Sequence, residues 1–398
     1  MSDRSELPPI AEFDSDPHRV AAAHRPNSAA VYDADQQAWL VLRHGDVAAL
    51  LRDPSFKKDP SAAADGPYTQ ALQAGDHSIL FMDDPDHRRL RGLVTQAFSK
   101  RATEASRTRI QTTADELLDT IDHTSATVDL VAAYAVPFPI TVIADILGID
   151  PTDQTEFKRW SDDVALSFDQ LLGPAEVARL AESQVEFREY IAGVISARRV
   201  RPGDDLISGL VAVQDADGSQ LSDAETISAI ALLLFAGNVT TTDLIANGLL
   251  ALLQHPDQLV MLQSDPSLIV NAVEEMLRFD PPVVTADRIA TSNMDLDGCP
   301  ISAGQWLWGG LSSANRDPAV HPDPDRLDIR RDPIHHVSFG GGRHLCLGAA
   351  LARMETQIAI GSLIARFPGI RLADPTAAPH YKYVPGFHGL ADLQVVLA

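Results

Sequence analysis

The stretch FGGGRHLCLG, residues 339–348, decides the fold of this chain. Three consecutive glycines permit backbone conformations that other residues avoid, and they let the chain approach a planar object closely. Cys346 follows the glycines, and a helical pattern begins after Gly348. A thiolate at such a helix N-terminus is surrounded by backbone N–H donors, which lower its pKa and tune it as a ligand. A lone cysteine is more often a small buried side chain, but here the glycines, Phe339 and His344 accompany it.

The composition indicates a soluble globular protein with a large core. The chain has 398 residues, of which 45% are hydrophobic and 22% charged, and its formal net charge is −23. That charge argues against a nucleic-acid-binding protein, because such proteins need basic surface to neutralise phosphates. Two cysteines, Cys299 and Cys346, provide no disulfide framework, and we assign no chemistry to Cys299. The acidic start lacks a signal-peptide pattern and no apolar run reaches the roughly 18 residues of a membrane span, so we expect a cytoplasmic protein.

Helical periodicity dominates the sequence. Its clearest segments are residues 45–53, 86–98, 102–121, 176–199 and 347–366. A further helix is predicted to begin after Ser222, because Glu225 three residues later completes a capping box. No proline interrupts it before Pro256, so it is predicted to run to about residue 254, roughly 50 Å at 1.5 Å per residue. Residues 230–236 are apolar nearly all round, which places this helix in the core.

Strand patterns are few. Residues 38–43 form one, and residues 287–308 alternate around an Asp-Gly pair at 297–298, which predicts a hairpin or small sheet. Residues 314–334 are rich in Pro, Asp and Arg with little periodicity, which is typical of an ordered irregular segment. We find no internal repeat and no interdomain linker. The sequence therefore predicts a mainly α protein with a minor β region.

The cysteine segment resembles the cysteine-ligand loop of the cytochrome P450 superfamily of haem-thiolate monooxygenases. The family pattern is Phe-Gly-x-Gly-x-(His/Arg)-x-Cys-x-Gly, and every fixed position is matched. The matching residues are Phe339, Gly340, Gly342, His344, Cys346 and Gly348. The resemblance implies a single P450 domain over residues 1–398, with haem b between a long central helix and the cysteine loop. It also implies that Cys346 ligates the haem iron, with Phe339 and Gly340 beside the cofactor.

A second matching motif is Glu275-x-x-Arg278, which places a carboxylate and a guanidinium on one helix face. Alone, such a pair is usually a minor surface ion pair. The resemblance implies that it is buried and structural, and that an arginine of the PDPDRLD segment, Arg326, joins it. Leu327 stands where the family usually has Phe, a departure that we expect to matter little.

Four further residues correspond to family contacts with the haem propionates. They are His87, Arg91, Arg288 and His344. Two carboxylates at the edge of an apolar pocket need charged or hydrogen-bonding partners. Taken singly, each of these residues is more often a surface or structural cation, but together they stand in the family's order along the chain.

The central helix carries the segment FAGNVTTTD, residues 235–243. Glycine and threonine are poor helix residues, so this polar stretch interrupts the most apolar part of the chain. The resemblance aligns it with the family's oxygen-binding groove, (Ala/Gly)-Gly-x-(Asp/Glu)-Thr-Thr. Ala236 and Gly237 would then lie over the haem face, where a side chain would occupy the space for O2. Thr240, followed by Thr241, would help to deliver protons, and its hydroxyl can bond the carbonyl one turn back and open a groove for water.

Val239 departs from this pattern, because the family usually has Asp or Glu at that position. Valine cannot carry a proton or hold a chain of waters. Three outcomes stay open: delivery through Thr240, Asn238 and ordered water, a hydroxyl supplied by the substrate, or a slow enzyme that loses reducing equivalents as peroxide. Asp243 lies on nearly the same helix face, but we expect solvent or a neighbouring helix to be the partner of its carboxylate.

By resemblance, apolar side chains line the substrate pocket. They are Ile79, Leu80, Leu232, Phe235, Ala236, Val239, Val283, Val284 and Phe387. Such a pocket favours an apolar substrate held by shape and burial, at roughly 25 cal/mol per Å² removed from water. Terpenoids, steroids, fatty acids and aromatic natural products all fit.

A basic segment interrupts the acidic sequence. Its cations are Arg88, Arg89, Arg91, Lys100, Arg101, Arg107 and Arg109, against Glu104 as the one acid between them. It is either a solvated helix face or, together with Arg343, a docking patch for an acidic electron carrier. The resemblance implies a separate ferredoxin and ferredoxin reductase as partners. We expect a monomer with no nucleic-acid or membrane partner.

The leading hypothesis is a monooxygenase that inserts one atom of O2 into an apolar small molecule. One alternative is peroxide-driven or oxidative coupling chemistry on the same scaffold. Another is a haem-binding recruitment protein without turnover, against which the intact Thr240 and the intact cysteine loop argue.

Overall fold

The computed structural model describes residues 16–34, 36–64, 78–97, 106–122, 124–166, 173–213, 220–384 and 386–397, with Phe13, Thr69, Glu104 and Gly218. Its helices are α1 (Pro17–His24), α2 (His44–Arg52), α3 (Asp86–Ala97), α4 (Arg107–Thr120), α5 (Pro137–Leu147), α6 (Gln154–Leu166), α7 (Pro174–Val200), α8 (Leu206–Ala212), α9 (Asp223–Gln254), α10 (Pro256–Ser264), α11 (Ile269–Phe279), α12 (Leu311–Asn315) and α13 (Ala349–Arg366). Its strands are β1 (Ala30–Asp33), β2 (Ala38–Val41), β3 (Val128–Asp129), β4 (Thr285–Ile289), β5 (Met294–Leu296), β6 (Cys299–Ile301), β7 (Trp306–Gly310), β8 (Arg371–Leu372), β9 (Tyr381–Val384), β10 (Phe387–Leu390) and β11 (Gln394–Val396).

Most elements correspond to the sequence patterns, and the mainly α class with a minor β region is confirmed. The strand predicted at 38–43 is β2, and the Asp-Gly pair forms the turn between β5 and β6. Asp297 and Gly298 both have positive φ, 50° and 85°, which fits a tight hairpin turn. Of the helix predicted at 102–121, helix α4 covers Arg107–Thr120, and the predicted start at residue 102 lies outside the described residues, as do Lys100 and Arg101 of the basic segment.

The central helix α9 has the predicted ends. The hydroxyl of Ser222 accepts from the N–H of Glu225 at 3.2 Å, and the carboxylate of Glu225 accepts from the N–H of Ser222 at 2.8 Å. This capping box satisfies N–H groups that the first turn leaves open. By length and composition α9 could cross a membrane, but 67% of its most apolar window is buried inside the protein, as in the core helix of a globular fold.

The strands form small sheets around the helical body. One sheet has the order β1-β2-β7-β4, in which β2 and β7 are parallel and the other pairs antiparallel. A three-stranded sheet has the order β3-β11-β8. Strands β9 and β10 form a C-terminal hairpin that packs against α9, with Phe387 opposite Val384 and Gly389 opposite Lys382.

The core divides along α9. The N-terminal half of the helix, with Ile230 and Leu234, belongs to a cluster built on α3 and α5 to α8. The C-terminal half, from Leu244 onward, belongs to a second cluster with α4, α11 and α13. Between them Phe235, Val239 and Phe387 form a small cluster of their own. The polar segment of the central helix thus lies where the two larger clusters meet.

The Glu275–Arg278 pair is buried as expected, but Arg326 is not its third member. Arg278 donates to both carboxylate oxygens of Glu275 at 2.7 Å, and both side chains are fully buried. The additional guanidinium is that of Arg331, which lies 3.2 Å from Glu275. Arg326 is exposed and contributes its backbone carbonyl, which accepts from Arg278 at 3.2 Å. The prediction of Arg326 is wrong because the chain turns after Leu327 and brings the later arginine back to the helix.

Candidate functional site

The cysteine loop is held by its glycines. Gly340 and Gly342 have φ of +71° and +63°, a region that favours glycine. A Cβ on Gly342 would lie 2.5 Å from the carbonyl oxygen of Leu51, so the loop also lies directly against the end of α2. The N–H of Cys346 donates to the carbonyl of Phe339 at 2.9 Å and closes the loop. These contacts fix the cysteine just before α13.

Cys346 is exposed to solvent as a residue, although many protein atoms surround its thiol. Desolvation by surrounding protein atoms is the largest effect on this group and raises the pKa of the thiol. The backbone N–H of Gly348 and the guanidinium groups of Arg91 and Arg353 act in the opposite direction. The helix N-terminus therefore assists the thiolate as expected, but in the protein alone burial outweighs it. A cationic metal at the sulfur would reverse the balance, since a coordinated thiol is deprotonated.

Imidazole and guanidinium groups from three chain segments converge beside Cys346. The rings of His87 and His344 lie 4.2 Å apart between centroids. Arg91, one turn beyond His87, donates to the carbonyl of Leu345. Burial, followed by the charges of Lys58, His87, Arg288 and Arg343, lowers the pKa of His344. The four predicted propionate residues are therefore brought together at one place.

This cluster has more positive charge than the described residues neutralise. Arg288 is 4% exposed and donates to the backbone carbonyls of Asp287 and Leu51, with no carboxylate within ion-pair distance among the described residues. The Nε2 atom of His344 is buried and has no hydrogen-bond partner in that part of the chain. A buried cation and an unsatisfied imidazole need an anionic or accepting partner. The site fits a cofactor that carries carboxylates beside a thiolate-bound metal.

Phe339 lies on the α13 side of the loop. The guanidinium of Arg353 lies over the Phe339 ring at 4.3 Å, and Arg353 is itself paired with Glu274 at 2.6 Å. Phe339 also packs against the larger core cluster. It therefore connects the cysteine loop to α11 and α13, whereas a Cβ on Gly340 would meet only the loop itself, at the carbonyl oxygen of His344.

The central helix presents a partly exposed stripe within its buried length. Leu232, Ala236 and Thr240, spaced four residues apart, are partly exposed, whereas Phe235 is 4% exposed. The hydroxyl of Thr240 donates to the carbonyl of Ala236 at 2.6 Å, which is the predicted bond to the preceding turn. This stripe begins beside the cluster in which Leu347, next to Cys346, also packs.

Three neighbours of the stripe contact other parts of the protein. A Cβ on Gly237 would meet Ile143 of α5 at 3.4 Å, so the glycine allows close packing of two helices, and a side chain there would not enter the open stripe. Thr241 is 2% exposed and turned into the core. Asn238 donates to the hydroxyl of Ser161 on α6 at 2.9 Å and is therefore turned away from Thr240.

Asp243 has a partner that the sequence did not suggest. Its carboxylate is fully buried and lies 2.7 Å from the ammonium of Lys382 on β9. The expectation of solvent or a neighbouring helix as partner is wrong, because the C-terminal hairpin covers this face of α9. Val239, one turn earlier on the same face, packs between Phe235 and Phe387.

The predicted pocket residues do not all face one space. Phe235 and Phe387 meet edge to face at 5.6 Å between ring centroids, and Val283 pairs with Phe387 through a β-bridge. Ile79 packs against the cluster at the N-terminal half of α9, and the neighbouring Leu80 is partly exposed in the same short helical turn. Val284 is fully buried in the core of the four-stranded sheet, with Trp306 and Trp308. Its prediction as a pocket residue is wrong, because adjacent residues of an extended chain face opposite sides.

The basic segment is largely neutralised in space. Its arginines form ion pairs as follows: Arg88 with Asp84, Arg89 with Glu225, Arg107 with Glu104, and Arg109 with Asp145. Three of these acids lie outside the segment between His87 and Arg109. The segment therefore has less unneutralised positive charge in the folded protein than its own residues suggest. Arg88 is still 80% exposed, which leaves it accessible to a partner.

Lys58, Arg331 and Lys382 are the charged residues that the sequence did not reveal. Lys58 is 4% exposed and paired with Asp287 at 3.1 Å. It lies directly beside the four predicted propionate residues. Each joins a site whose other members are distant in the chain. A lysine that is buried shows no local sequence signal, so only the three-dimensional path of the chain identifies it.

Comparison with known proteins agrees with this geometry. The family model described as Cytochrome P450 matches residues 31–369. The chain is 40% identical over 366 residues to the cytochrome P450 monooxygenase PikC of Streptomyces venezuelae, with 91% of this chain and 86% of that protein covered. It is 41% identical over 370 residues to the vitamin D(3) 25-hydroxylase of Pseudonocardia autotrophica, with 91% and 89% covered. The solved structure of the cytochrome P450 PksS, of the bacillaene polyketide synthase of Bacillus subtilis 168, has a TM-score of 0.87 at 36% identity, with 97% of this chain and 98% of that one covered.

These matches extend over most of the chain and include both the central helix and the cysteine loop. They confirm the fold, the haem cofactor and the oxidoreductase class that the sequence motifs implied. The chain therefore belongs to the cytochrome P450 family.

Proposed function

We propose that this chain is a haem-thiolate monooxygenase that inserts one oxygen atom from O2 into an apolar small molecule. The observation that carries the proposal is the thiol of Cys346 beside cations that have no carboxylate partner among the described residues. When bound, the haem supplies the activation of O2 and the transfer of one of its atoms. The residues of the chain hold the cofactor, keep water out and direct protons.

Cys346 is the proposed iron ligand. The N–H of Gly348 and the guanidinium groups of Arg91 and Arg353 favour its thiolate form. His87, Arg91, Arg288 and His344 are the proposed partners of the haem propionates, in agreement with the buried Arg288 guanidinium, which has only backbone partners, and with the Nε2 atom of His344, which has no partner among the described residues. Lys58 lies beside this group, but Asp287 pairs with its ammonium.

Thr240 is the proposed proton-handling residue on the substrate side. Its hydroxyl proton is engaged by the carbonyl of Ala236, so its oxygen is free to accept a hydrogen bond from water or substrate. We assign Thr241 to support of the helix, because its side chain is 2% exposed. Replacement of Thr240 by valine is expected to increase peroxide release relative to product, and replacement of Thr241 is not.

The proposed substrate is an apolar molecule of the size of a terpenoid, steroid, fatty acid or polyketide. The described apolar side chains at the contact of α9 with the hairpin are Phe235, Val239 and Phe387, which offer shape and burial but no charge. The names of two relatives, a vitamin D(3) 25-hydroxylase and the PksS of a polyketide synthase, support large apolar ligands. A screen of such compounds for the low-to-high-spin change in the haem spectrum would identify the class.

Two measurements test the proposed function. The reduced protein treated with CO should show the red-shifted Soret band of thiolate ligation, and the Cys346→Ser variant should lose it. With a ferredoxin and its reductase, consumption of NAD(P)H should then match product formed. A normal Soret shift without any ferredoxin-dependent turnover would favour a haem-binding recruitment protein, and absence of the shift would refute the cofactor site.

Peroxide-driven or oxidative coupling chemistry is a second candidate, and Val239 favours it. This residue packs among Phe235 and Phe387, and neither of the carboxyl groups nearest in sequence on α9, Glu225 and Asp243, is free, because Arg89 and Lys382 pair with them. A peroxide-driven reaction depends less on a proton relay from solvent. Product formed with hydrogen peroxide alone, at a rate at least equal to that with ferredoxin, would support this candidate.

The proposed electron donor is a separate ferredoxin that binds near α3, to a monomer in the cytoplasm. Arg88 is the sharper test residue, because Arg89 is paired with Glu225 of the α9 capping box and its replacement would disturb the helix start. Arg88→Glu is expected to lower the ferredoxin-supported rate and its dependence on salt. Lys158→Glu, which makes the same change of charge on α6, is the control. Equal effects of the two variants would refute the docking site.

A further inference from the structure

One face of α9 is attached to the C-terminal hairpin through three successive turns. Val239 packs against Phe387 in the small apolar cluster. The carboxylate of Asp243, four residues later, lies 2.7 Å from the ammonium of Lys382. Asn247, four residues later again, donates to a backbone carbonyl of β10 at 2.9 Å. Residues at this spacing lie on one side of a helix, so an apolar contact, an ion pair and a hydrogen bond fix the same hairpin.

The fit at Asp243 is close. A Cβ on Gly389 would lie 2.2 Å from the carboxyl carbon of Asp243, so the strand backbone lies directly on the carboxylate. Lys382 is the cross-strand neighbour of Gly389 and reaches the same carboxylate from the edge of the hairpin, where its side chain is 31% exposed. A hairpin displaced from this position would separate the two charges or admit water between them.

The charge of Asp243 is compensated from one direction. The ionisable groups that act on it are Lys382 on β9, His388 on β10 and Asp280 after α11. Apart from the Lys382 ammonium, no hydrogen bond from the described residues reaches its oxygens. Burial raises the pKa of Asp243 to about 6 in spite of that lysine. Removal of the cation alone would therefore leave a buried, unpaired carboxylate, whereas removal of both charges would not.

Displacement of the hairpin would alter the proposed substrate pocket. Phe387 opens β10, and its ring meets that of Phe235. The N–H of His388 donates to the carbonyl of Pro282 at 2.9 Å, so the segment before Val283 moves with the strand. We propose that the Asp243–Lys382 pair determines which ligands the distal pocket accepts, because it holds against α9 the hairpin that carries Phe387. The inference rests on the proposed function and adds Lys382 to it as a positioning residue.

Hydrogen exchange of the β9 and β10 amides in the ligand-free holoprotein tests the attachment. At pH 8, Lys382→Gln is expected to exchange about tenfold faster than the wild type. Lys382→Arg, which restores the cation, and the double variant Asp243→Asn/Lys382→Gln should stay within about twofold of the wild type. At pH 5, where Asp243 is mostly neutral, the effect of Lys382→Gln should shrink to about twofold. Asp392→Asn removes an exposed pair with His380 at the base of the same hairpin and is the matched control.

Binding of imidazole, 4-phenylimidazole and clotrimazole tests the selection of ligands. These azoles increase in size, and their binding is measured from the shift of the Soret band. In Lys382→Gln, the ratio of the clotrimazole to the imidazole dissociation constant should change at least about threefold, and the double variant should restore it.

Three results would overturn the inference: exchange in Lys382→Gln no faster than in Asp392→Asn, an effect of Lys382→Gln that persists when Asp243 is Asn, or faster exchange with unchanged azole ratios. If no azole shifts the Soret band of the wild type, the proposed haem pocket is refuted, and the exchange data still decide whether the pair holds the hairpin.

Discussion

Glu275 and Asp243 are both fully buried carboxylates on helices, but the protein treats them differently. Glu275 receives two hydrogen bonds from Arg278, one from the guanidinium of Arg331 and one from the N–H of Asp328, at 2.7 to 3.2 Å. Asp243 has the ammonium of Lys382 on one side and the backbone of a strand on the other. The first carboxylate is enclosed by donors, whereas the second depends on one partner that is partly exposed.

The two carboxylates also lie at different places relative to the proposed site. The Glu275 network joins α11 to Asp328 and Arg331 of the irregular segment that precedes the cysteine loop, so it fixes that segment on the helix. The Asp243–Lys382 pair joins α9 to the hairpin beside the proposed pocket, where displacement of the hairpin would change which ligands fit. Glu355 on α13 is a buried carboxyl group of a third kind. Burial raises its pKa well above the usual range, which keeps the group neutral. A buried carboxylate with complete hydrogen bonding holds its neighbours in one arrangement. A buried carboxylate with a single partner holds them only while that partner stays in place and charged.

The largest expected effect is at Glu275. Glu275→Gln leaves the fully buried guanidinium of Arg278 without a counter-charge, which should lower the free energy of unfolding by about 3–5 kcal/mol. Urea unfolding of the holoprotein, followed by far-UV circular dichroism, measures the change. Glu355→Gln, which replaces a neutral acid by a neutral amide in a neighbouring helix, should cost much less. Equal losses in the two variants would mean that the Glu275 network is no more than a well-packed polar site.

Gly389→Ala tests the contact between the strand and the Asp243 carboxylate. The added methyl group overlaps the carboxyl carbon at 2.2 Å, so the variant should lose about 1–3 kcal/mol of stability by overpacking. Asp243→Ala in the same chain removes the obstructing carboxylate and should recover part of that loss. The same urea unfolding measurement applies to both variants. If the double variant is as unstable as the sum of the single ones, the two residues are not in contact.

A feature could be predicted from the sequence when the residues that form it are close together in the chain. The α9 capping box, the Asp-Gly turn and the cysteine loop are each encoded within about ten residues, and all three are present. The partner of a buried charge is set by the path of the chain over much longer distances. Arg331 and Glu275 are 56 residues apart, and no local pattern prefers Arg331 to Arg326. Lys382 lies still farther from Asp243, on a hairpin whose docking was not predicted.

Other errors had a physical signal that could have been used. Val283 and Val284 are neighbours in an extended segment, so only one of them can face the pocket while the other faces the sheet. For Gly237 the signal was weaker, because a glycine on a buried helix serves a ligand or a neighbouring helix equally well, and only the position of Ile143 distinguishes the two uses.

The pH dependence of stability tests the raised pKa of Asp243. The folded-state pKa of Asp243 is raised to about 6, above its value in the unfolded chain, so the folded protein binds more protons between about pH 4 and pH 6. The free energy of unfolding that this group contributes therefore falls as the pH rises through that window. Relative to Asp243→Asn, the wild type should lose about 2 kcal/mol between about pH 4.5 and pH 7. A constant difference between the two proteins across this range would contradict the raised pKa.

The smallest expected effect separates Arg331 from Arg326. Arg331→Ala removes one charge-assisted contact with Glu275 and the bonds from the same guanidinium to the backbone carbonyls of Pro322, Asp323 and Arg326. It leaves the two bonds from Arg278 in place, so it should cost about 1–2 kcal/mol. Arg326→Ala keeps the backbone carbonyl that accepts from Arg278 and removes an exposed side chain, so its effect should stay within about 0.5 kcal/mol. Each arginine is also to be replaced in a Glu275→Gln background. There the cost of Arg331→Ala should shrink, because the counter-charge is gone and only the bonds to backbone carbonyls stay. A cost that is unchanged would show that Arg331 stabilises the segment through those bonds alone.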